Sequence, residues 1–300
     1  MDKPLKQAIR ASFERAAPDY DAAAVLQKEV ARRLDERLEM MKLAPATVLD
    51  AGCGTGFGIP LLRARFPAAR MLAVDLAHGM LRETLARHGH PEGWRGLLSR
   101  LAPHASRLAP VCADLERLPL KADSVDLLWS NLTLQWMGDL EATFKGLHRV
   151  VRPEGLLMFS TFGPDTLKEL RNAFAGLDDG HGHVNRFIDM HDIGDLLVHA
   201  GFTSPVMEME CLTLTYADLP AVLRDLKAIG AHTVLDRRRA GLMGKSAWRR
   251  LTENYERFRR EGRLPATFEV IYGHAWAGRK DRLEDGRQVI EMKIPQRRRS

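Results

Sequence analysis

The hydrophobic pattern changes period along the 300-residue chain. From Leu5 to Met41, apolar side chains recur at helical spacing, interrupted at Pro18. This predicts a short helix, a turn around APDYD (17–21) and a longer helix from about Ala22 to Met41. After KLAP the pattern becomes short, continuous apolar runs separated by amphipathic stretches. Strands are expected at TVLDAG (47–52), RMLAVDLA (70–77), within 109–120, at SVDLLWSN (124–131) and at LLMFSTFG (156–163). Helices are expected at 58–67, 78–89 and 140–151, and RPEG (152–155) reads as a turn. His90–Pro110, with several histidines and glycine or proline punctuation, reads as an excursion holding a short helix. Strands alternating with helices over short connections predict an α/β fold with a doubly wound, mainly parallel sheet.

Beyond Gly163 the pattern predicts a helix (164–177), a His/Gly-rich loop (178–187), a helix (189–202) and a strand at 206–216. Two helical stretches (218–232 and 246–262) and a closing strand (265–278) follow. The expected organisation is a helical N-terminal lid (1–43) and a main domain (44–280). A helical insertion at about 164–265 precedes the last strand, and a basic tail (281–300) follows it.

Composition is ordinary for a globular protein, with 45% hydrophobic and 28% charged residues. No apolar run reaches 18 residues, so no membrane span is expected. The start of the chain lacks the apolar core of an export signal. Cys53, Cys112 and Cys211 lack CxxC spacing. Together these predict a cytoplasmic protein without a disulfide framework or structural metal. Cys53 and Cys112 read as core thiols. The net charge of +6 hides an asymmetry: Arg237–Ser300 holds 18 Lys/Arg against 8 Asp/Glu, a local +10, leaving −4 for the rest. A basic end beside a mildly acidic body points to an acidic partner.

Chemistry concentrates at VLDAGCGTGFG (48–58). A P-loop would need Lys-Ser/Thr after the last glycine, and none follows. Gly52, Gly54 and Gly56 also lack the dinucleotide spacing. Asp50, just before the loop, would repel a pyrophosphate and suits an ammonium group. Asp75, ending the second strand, suits the two hydroxyls of a ribose. Asp114, or the neighbouring Leu115 amide, sits equivalently after the third strand and suits the exocyclic amine of adenine. One ligand with those three groups and no phosphate is S-adenosylmethionine.

The motifs VLDAGCGTG, AVDLAHGML, ADLERLPLKADSVDLLWSNLTLQW and LHRVVRPEGLLMFSTFG resemble those of class I methyltransferases over about residues 46–163. The resemblance implies a seven-stranded Rossmann-like sheet, with Asn131 beside the methionine part of the cofactor. SNLTLQW has no proline, unlike the turn that methylates an adenine amine, and neither Cys53 nor Cys112 is placed to attack a pyrimidine. Nucleic acid is therefore not the favoured acceptor. Flanking segments, above all HVNRF (183–187) and LKAIGAH (226–232), resemble the malonyl-[acyl-carrier protein] O-methyltransferases of biotin synthesis (BioC) over about residues 6–277.

That resemblance implies methyl transfer to the free carboxylate of a malonyl thioester, which at neutral pH needs no base. A cation would select the carboxylate and a lid would exclude water. The matching segments offer Arg171, Arg186 and Lys227, with Tyr20 of the lid as a hydroxyl donor. His232, Trp129 and Trp136 read as structural. An acidic acyl carrier protein would dock on the basic stretch Arg237–Arg250, through Arg237, Arg238, Arg239, Lys245, Arg249 and Arg250. Three alternatives remain at this stage. One is a related protein-modifying enzyme, an arginine hydroxylase or methyltransferase like the complex I assembly factors. The others are a cofactor-binding protein without catalysis and a nucleic-acid methyltransferase using the basic end.

Overall fold

A computed structural model describes residues 3–89, 108–175, 177, 187–229 and 244–278. The His90–Pro110 excursion up to residue 107, Arg186, His232, Arg237–Arg239 and the 281–300 tail lie outside the described residues. Among those described, no helix is long and apolar enough to cross a membrane.

The sheet runs β1 (Thr47–Ala51), β2 (Arg70–Asp75), β3 (Leu108–Cys112), β4 (Val125–Ser130), β5 (Val151–Phe162), β6 (Phe202–Tyr216) and β7 (Leu264–Ala277). Its spatial order is β3-β2-β1-β4-β5-β7-β6. The first five are parallel, and β7 pairs antiparallel with both β5 and β6. Strand order therefore reverses between β1 and β4. Connections leaving the carboxyl ends of these two strands part in opposite directions, which opens a crevice there.

Alternation along β1 shows how the sequence divides the core. Val48 belongs to the cluster on one face of the sheet, Leu49 and Ala51 to the other. The first face packs against α3 (Val25–Leu38) through Val30 and Leu34 and against α4 (Gly58–Arg65) through Ile59 and Leu62. The second face is covered by α6 (Leu140–Val150) through Phe144 and Leu147 and by α8 (Met190–His199) through Ile193 and Leu197. The remaining helices are α1 (Lys3–Ala16), the single turn α2 (Tyr20–Ala23), α5 (His78–His88), α7 (Lys168–Phe174), α9 (Leu219–Ala228) and α10 (Lys245–Glu256).

Three expectations need correction. The long N-terminal helix ends at Leu38 rather than Met41. RPEG lies within β5, with Glu154 at φ 65° and a register shift against β4 between Val125 and Leu127. Turn-forming residues here bend a strand instead of starting one. Cys112 is exposed, not a core thiol. It ends the sheet's edge strand, where alternate side chains meet solvent, whereas Cys53 is buried in the loop.

Candidate active site

The loop after β1 takes its shape from glycine. Gly52, Gly54 and Gly56 have φ of 80°, 54° and 85°, a region that side chains disfavour. At Gly52 a Cβ would sit 2.2 Å from Thr133 Oγ1, so the loop and the segment after β4 approach closely. At Gly54 a Cβ would meet nothing within 4 Å. That open side faces a cavity of about 890 Å³ and a neighbouring one of about 460 Å³, and Gly54 borders both.

The sheet brings the predicted acids together at this crevice. Asp75 Oδ2 accepts from the Gly54 amide at 2.9 Å, and Oδ1 from the Ala77 amide at 2.8 Å. One carboxylate thus ties the glycine loop to the start of α5. Burial pushes the Asp75 carboxyl up to about 6, although those amides pull the other way. Asp50, almost fully buried, is pushed up to about 7, first by burial and then by the Asp75 charge. Asp114 caps the turn Leu115–Arg117 through the Glu116 amide at 3.0 Å, and both Asp114 and Leu115 line the larger cavity. Asn131 borders both cavities, accepting from Ser160 Oγ at 2.8 Å and donating to the Gln27 carbonyl at 3.0 Å.

The N-terminal segment covers the crevice through polar contacts. Glu14 of α1 accepts from the His78 and Gly79 amides at 2.7 and 2.6 Å, capping α5 from outside. Lys6 bridges Asp114 and Glu116 at 2.5 and 2.6 Å. Asp21 pairs with Arg87 and accepts from Thr55 Oγ1. Phe13 meets Trp136 edge-to-face at 5.4 Å, and both line the larger cavity. Tyr20 borders both cavities. Burial, then the Asp75 and Asp21 charges, raise its phenol well above the ordinary range, so it stays a hydrogen-bond donor.

The other proposed cations sit elsewhere. Arg171 donates Nη2 to the Thr166 carbonyl at 2.8 Å, and Lys227 is exposed on α9. Neither lines either cavity. The described ends of the two most telling segments do reach the site. Phe187 packs on cavity-lining Phe162 at 5.7 Å, and Ile229 lines the cavity itself. Trp136, read as structural, is also part of the lining. Sequence reasoning missed Lys6, Arg10, Phe13 and Gln27, all contributed to the cavity by the lid and α3.

The residues present fit S-adenosylmethionine. Acids crowd the crevice, the buried Gln27 Oε1 has no partner among the described residues, and Gly54 leaves room for close approach. A buried acid beside the loop matches a cationic ligand and opposes a phosphate.

The methyltransferase domain family matches residues 49–159, spanning β1 to β5. In fold, the chain resembles the YcgJ protein from Bacillus subitilis, with a TM-score of 0.54 at 12% identity, covering 82% of this chain and 98% of that one. Fold and site together define a class I S-adenosylmethionine-dependent methyltransferase. The chain is 57% identical over 286 residues to the malonyl-[acyl-carrier protein] O-methyltransferase of Gallionella capsiferriformans (strain ES-2), covering 95% of this chain and 96% of that protein. It is 55% identical over 289 residues to the enzyme of the same name from Laribacter hongkongensis (strain HLHK9), covering 95% of each. The chain belongs to the malonyl-[acyl-carrier protein] O-methyltransferase family.

Proposed function

We propose that the protein methylates the free carboxylate of malonyl-acyl carrier protein, giving the methyl ester that fatty-acid-type elongation extends toward the pimeloyl chain of biotin. Family membership carries this reading, and the acidic, phosphate-averse crevice supports it. When bound, S-adenosylmethionine supplies an electrophilic methyl group on a sulfonium sulfur. Asp50, the glycine loop and Asn131 would hold its methionyl end, Asp75 its ribose, and Asp114 with the Leu115 amide its adenine.

The acceptor is already ionised at neutral pH, so the chain has no proton to remove. Its task is placement and exclusion of water, worth up to about 7–11 kcal/mol in favourable systems. Phe13, Trp136 and Phe162 provide apolar walls, and Tyr20 offers a hydroxyl that stays protonated. We assign the substrate carboxylate to Arg186, adjacent in sequence to Phe187, which packs on cavity-lining Phe162. Arg171 and Lys227 are the secondary candidates, since each would have to leave its present position. Esterification removes the terminal charge, and an uncharged end enters apolar elongation sites far more readily.

Docking of the acidic carrier protein is assigned to the basic stretch Arg237–Arg250. Its described part is the start of α10, where Lys245, Arg249 and Arg250 are exposed beside an exposed Trp248. The opposite face of α10 is buried through Leu251 and Tyr255, which leaves the basic face for a partner. Charge reversal at Lys245, Arg249 and Arg250 tests the assignment, with turnover measured on carrier-bound and coenzyme A-bound malonate. Selective loss on the carrier-bound substrate is expected, and equal loss on both would reject the docking surface.

A further inference from the structure

The turn after β4 is strained at Leu132. This residue, 6% exposed and part of the larger cavity's wall, has φ 44°, a region that side chains disfavour. It is pinned on both sides. Its amide donates to the Ser160 carbonyl at 3.1 Å and to Ser160 Oγ at 3.0 Å. Its carbonyl accepts from Gln135 Nε2 at 2.6 Å. The other end of the Gln135 amide is held as well, because Thr161 Oγ1 donates to Gln135 Oε1 at 3.3 Å. Strain of this kind persists only where the surroundings enforce it, and here the enforced element is the Gln135 amide.

These contacts fix which way the amide faces. The Leu132 carbonyl can only accept, so Nε2 turns toward it, and the Thr161 hydroxyl then meets Oε1. An amide nitrogen carries two hydrogens, and the bonds among the described residues use one. The second belongs to a side chain that lines the larger cavity. Thr161 is followed by Phe162, which lines the same cavity and packs on Phe187 at 5.7 Å. Gln135 is thus tied to the strand end that meets Phe187, the neighbour of Arg186 in sequence.

A carboxylate that accepts a methyl attacks with one oxygen. The new C–O bond forms as the S–C bond breaks, the electron pair returns to sulfur, and no proton moves. The other oxygen is free to accept a hydrogen bond that fixes the plane of the group. A further cation close to the reacting centre would repel the sulfonium, whereas a neutral amide adds direction without charge. We propose that Gln135 is a specificity-determining residue for the acceptor, its second Nε2 hydrogen donating to the non-attacking oxygen of the malonyl carboxylate. Thr161 is the positioning residue that holds the amide for it. Arg186 is assigned the charge and Gln135 the direction. The inference rests on the malonyl carboxylate being the acceptor.

Binding without turnover tests this. The full-length protein is loaded with S-adenosylhomocysteine, and calorimetry compares malonyl- with acetyl-acyl carrier protein, which differ only in the terminal carboxylate. Wild type is expected to favour the malonyl carrier about 100-fold. Gln135→Met, similar in size but without a donor, is expected to lose about 10-fold of that preference. Its affinities for the acetyl carrier and for S-adenosylhomocysteine stay as in wild type. Thr161→Val is expected to lose about 3-fold and Thr161→Ser to keep the preference. Added to Gln135→Met, Thr161→Val should cost nothing more, since it acts through the amide. An unchanged malonyl preference in Gln135→Met, or equal weakening of both carriers, overturns the proposal. Should that variant not fold, Thr161→Val decides, and an undiminished preference there overturns it. A wild-type protein that binds S-adenosylhomocysteine but shows no malonyl preference rejects the acceptor reading itself, a result distinct from these.

Discussion

Cofactor affinity should depend steeply on pH near neutrality, because the ligand-free crevice holds two carboxyls above their ordinary range. Asp50 sits at about 7 and Asp75 at about 6, both mainly through burial. A cationic ligand beside them favours the ionised forms and so lowers both values on binding. Binding therefore weakens as pH falls through the ligand-free values. With both groups required as carboxylates, about nine-tenths of the protein is competent at pH 8 and about one-twentieth at pH 6, a loss of about 20-fold. Sinefungin, a stable cationic analogue, is the suitable probe in calorimetry from pH 8 to 6. Buffers of different ionisation enthalpy should also reveal proton release on binding at pH 6.5. Asp50→Asn leaves only the Asp75 contribution, about 2-fold over the same range. Wild-type affinity that stays flat between pH 8 and 6, with no proton release, would exclude a need for ionised Asp50 and Asp75 in binding. The stability consequence has the opposite sense. Raised folded-state values mean the ligand-free protein holds protons more tightly than the unfolded chain, so it loses stability as pH rises from about 4 to 7. Asp50→Asn should then stabilise the ligand-free protein at pH 8, by at most about 4 kcal/mol, while impairing binding.

Three further outcomes are expected. Asp75→Ala removes the carboxylate that joins the Gly54 and Ala77 amides and is assigned to the ribose; S-adenosylhomocysteine binding should weaken by about 2–3 kcal/mol in calorimetry, and unchanged affinity would exclude the role. Lys6→Met leaves Asp114 and Glu116 without the cation they share; stopped-flow release of S-adenosylhomocysteine should accelerate about 5- to 10-fold as α1 loosens, against no change if α1 is not a cover. Tyr20→Phe keeps the ring contact with Phe13 but removes the donor; kcat should fall about 10- to 100-fold with little change in thermal stability, and full activity would reduce Tyr20 to packing.

The sheet and its acids were legible because both depend on local order. Short apolar runs mark buried parallel strands, and an acid ending each run must fall at the sheet's carboxyl edge once the strands align. Asp50, Asp75 and Asp114 follow from that rule alone. The cover was not legible, because helical periodicity shows which face is apolar and not what a polar tip will meet. Glu14 reaches amides 64 and 65 residues away, and Lys6 reaches acids beyond position 110. One signal was available. The residue before α5 is Ala77, a poor cap, so the helix needed an acceptor from elsewhere. Gln27 was hidden similarly, being a polar position on an amphipathic helix. The Cys112 and RPEG corrections reflect tertiary context: strand order sets which strand lies at the edge, and a bent strand can absorb turn-forming residues.

Whether the methyl acceptor is the free carboxylate of carrier-bound malonate is tested directly by incubating the protein with methyl-labelled S-adenosylmethionine and malonyl-acyl carrier protein. The intact carrier is then analysed by mass spectrometry. Acetyl-acyl carrier protein, which lacks the terminal carboxylate, runs in parallel. One labelled methyl is expected on the malonyl carrier, released by mild ester hydrolysis, and none on the acetyl carrier. Label on both carriers, or on neither while the cofactor binds, would overturn the proposed acceptor.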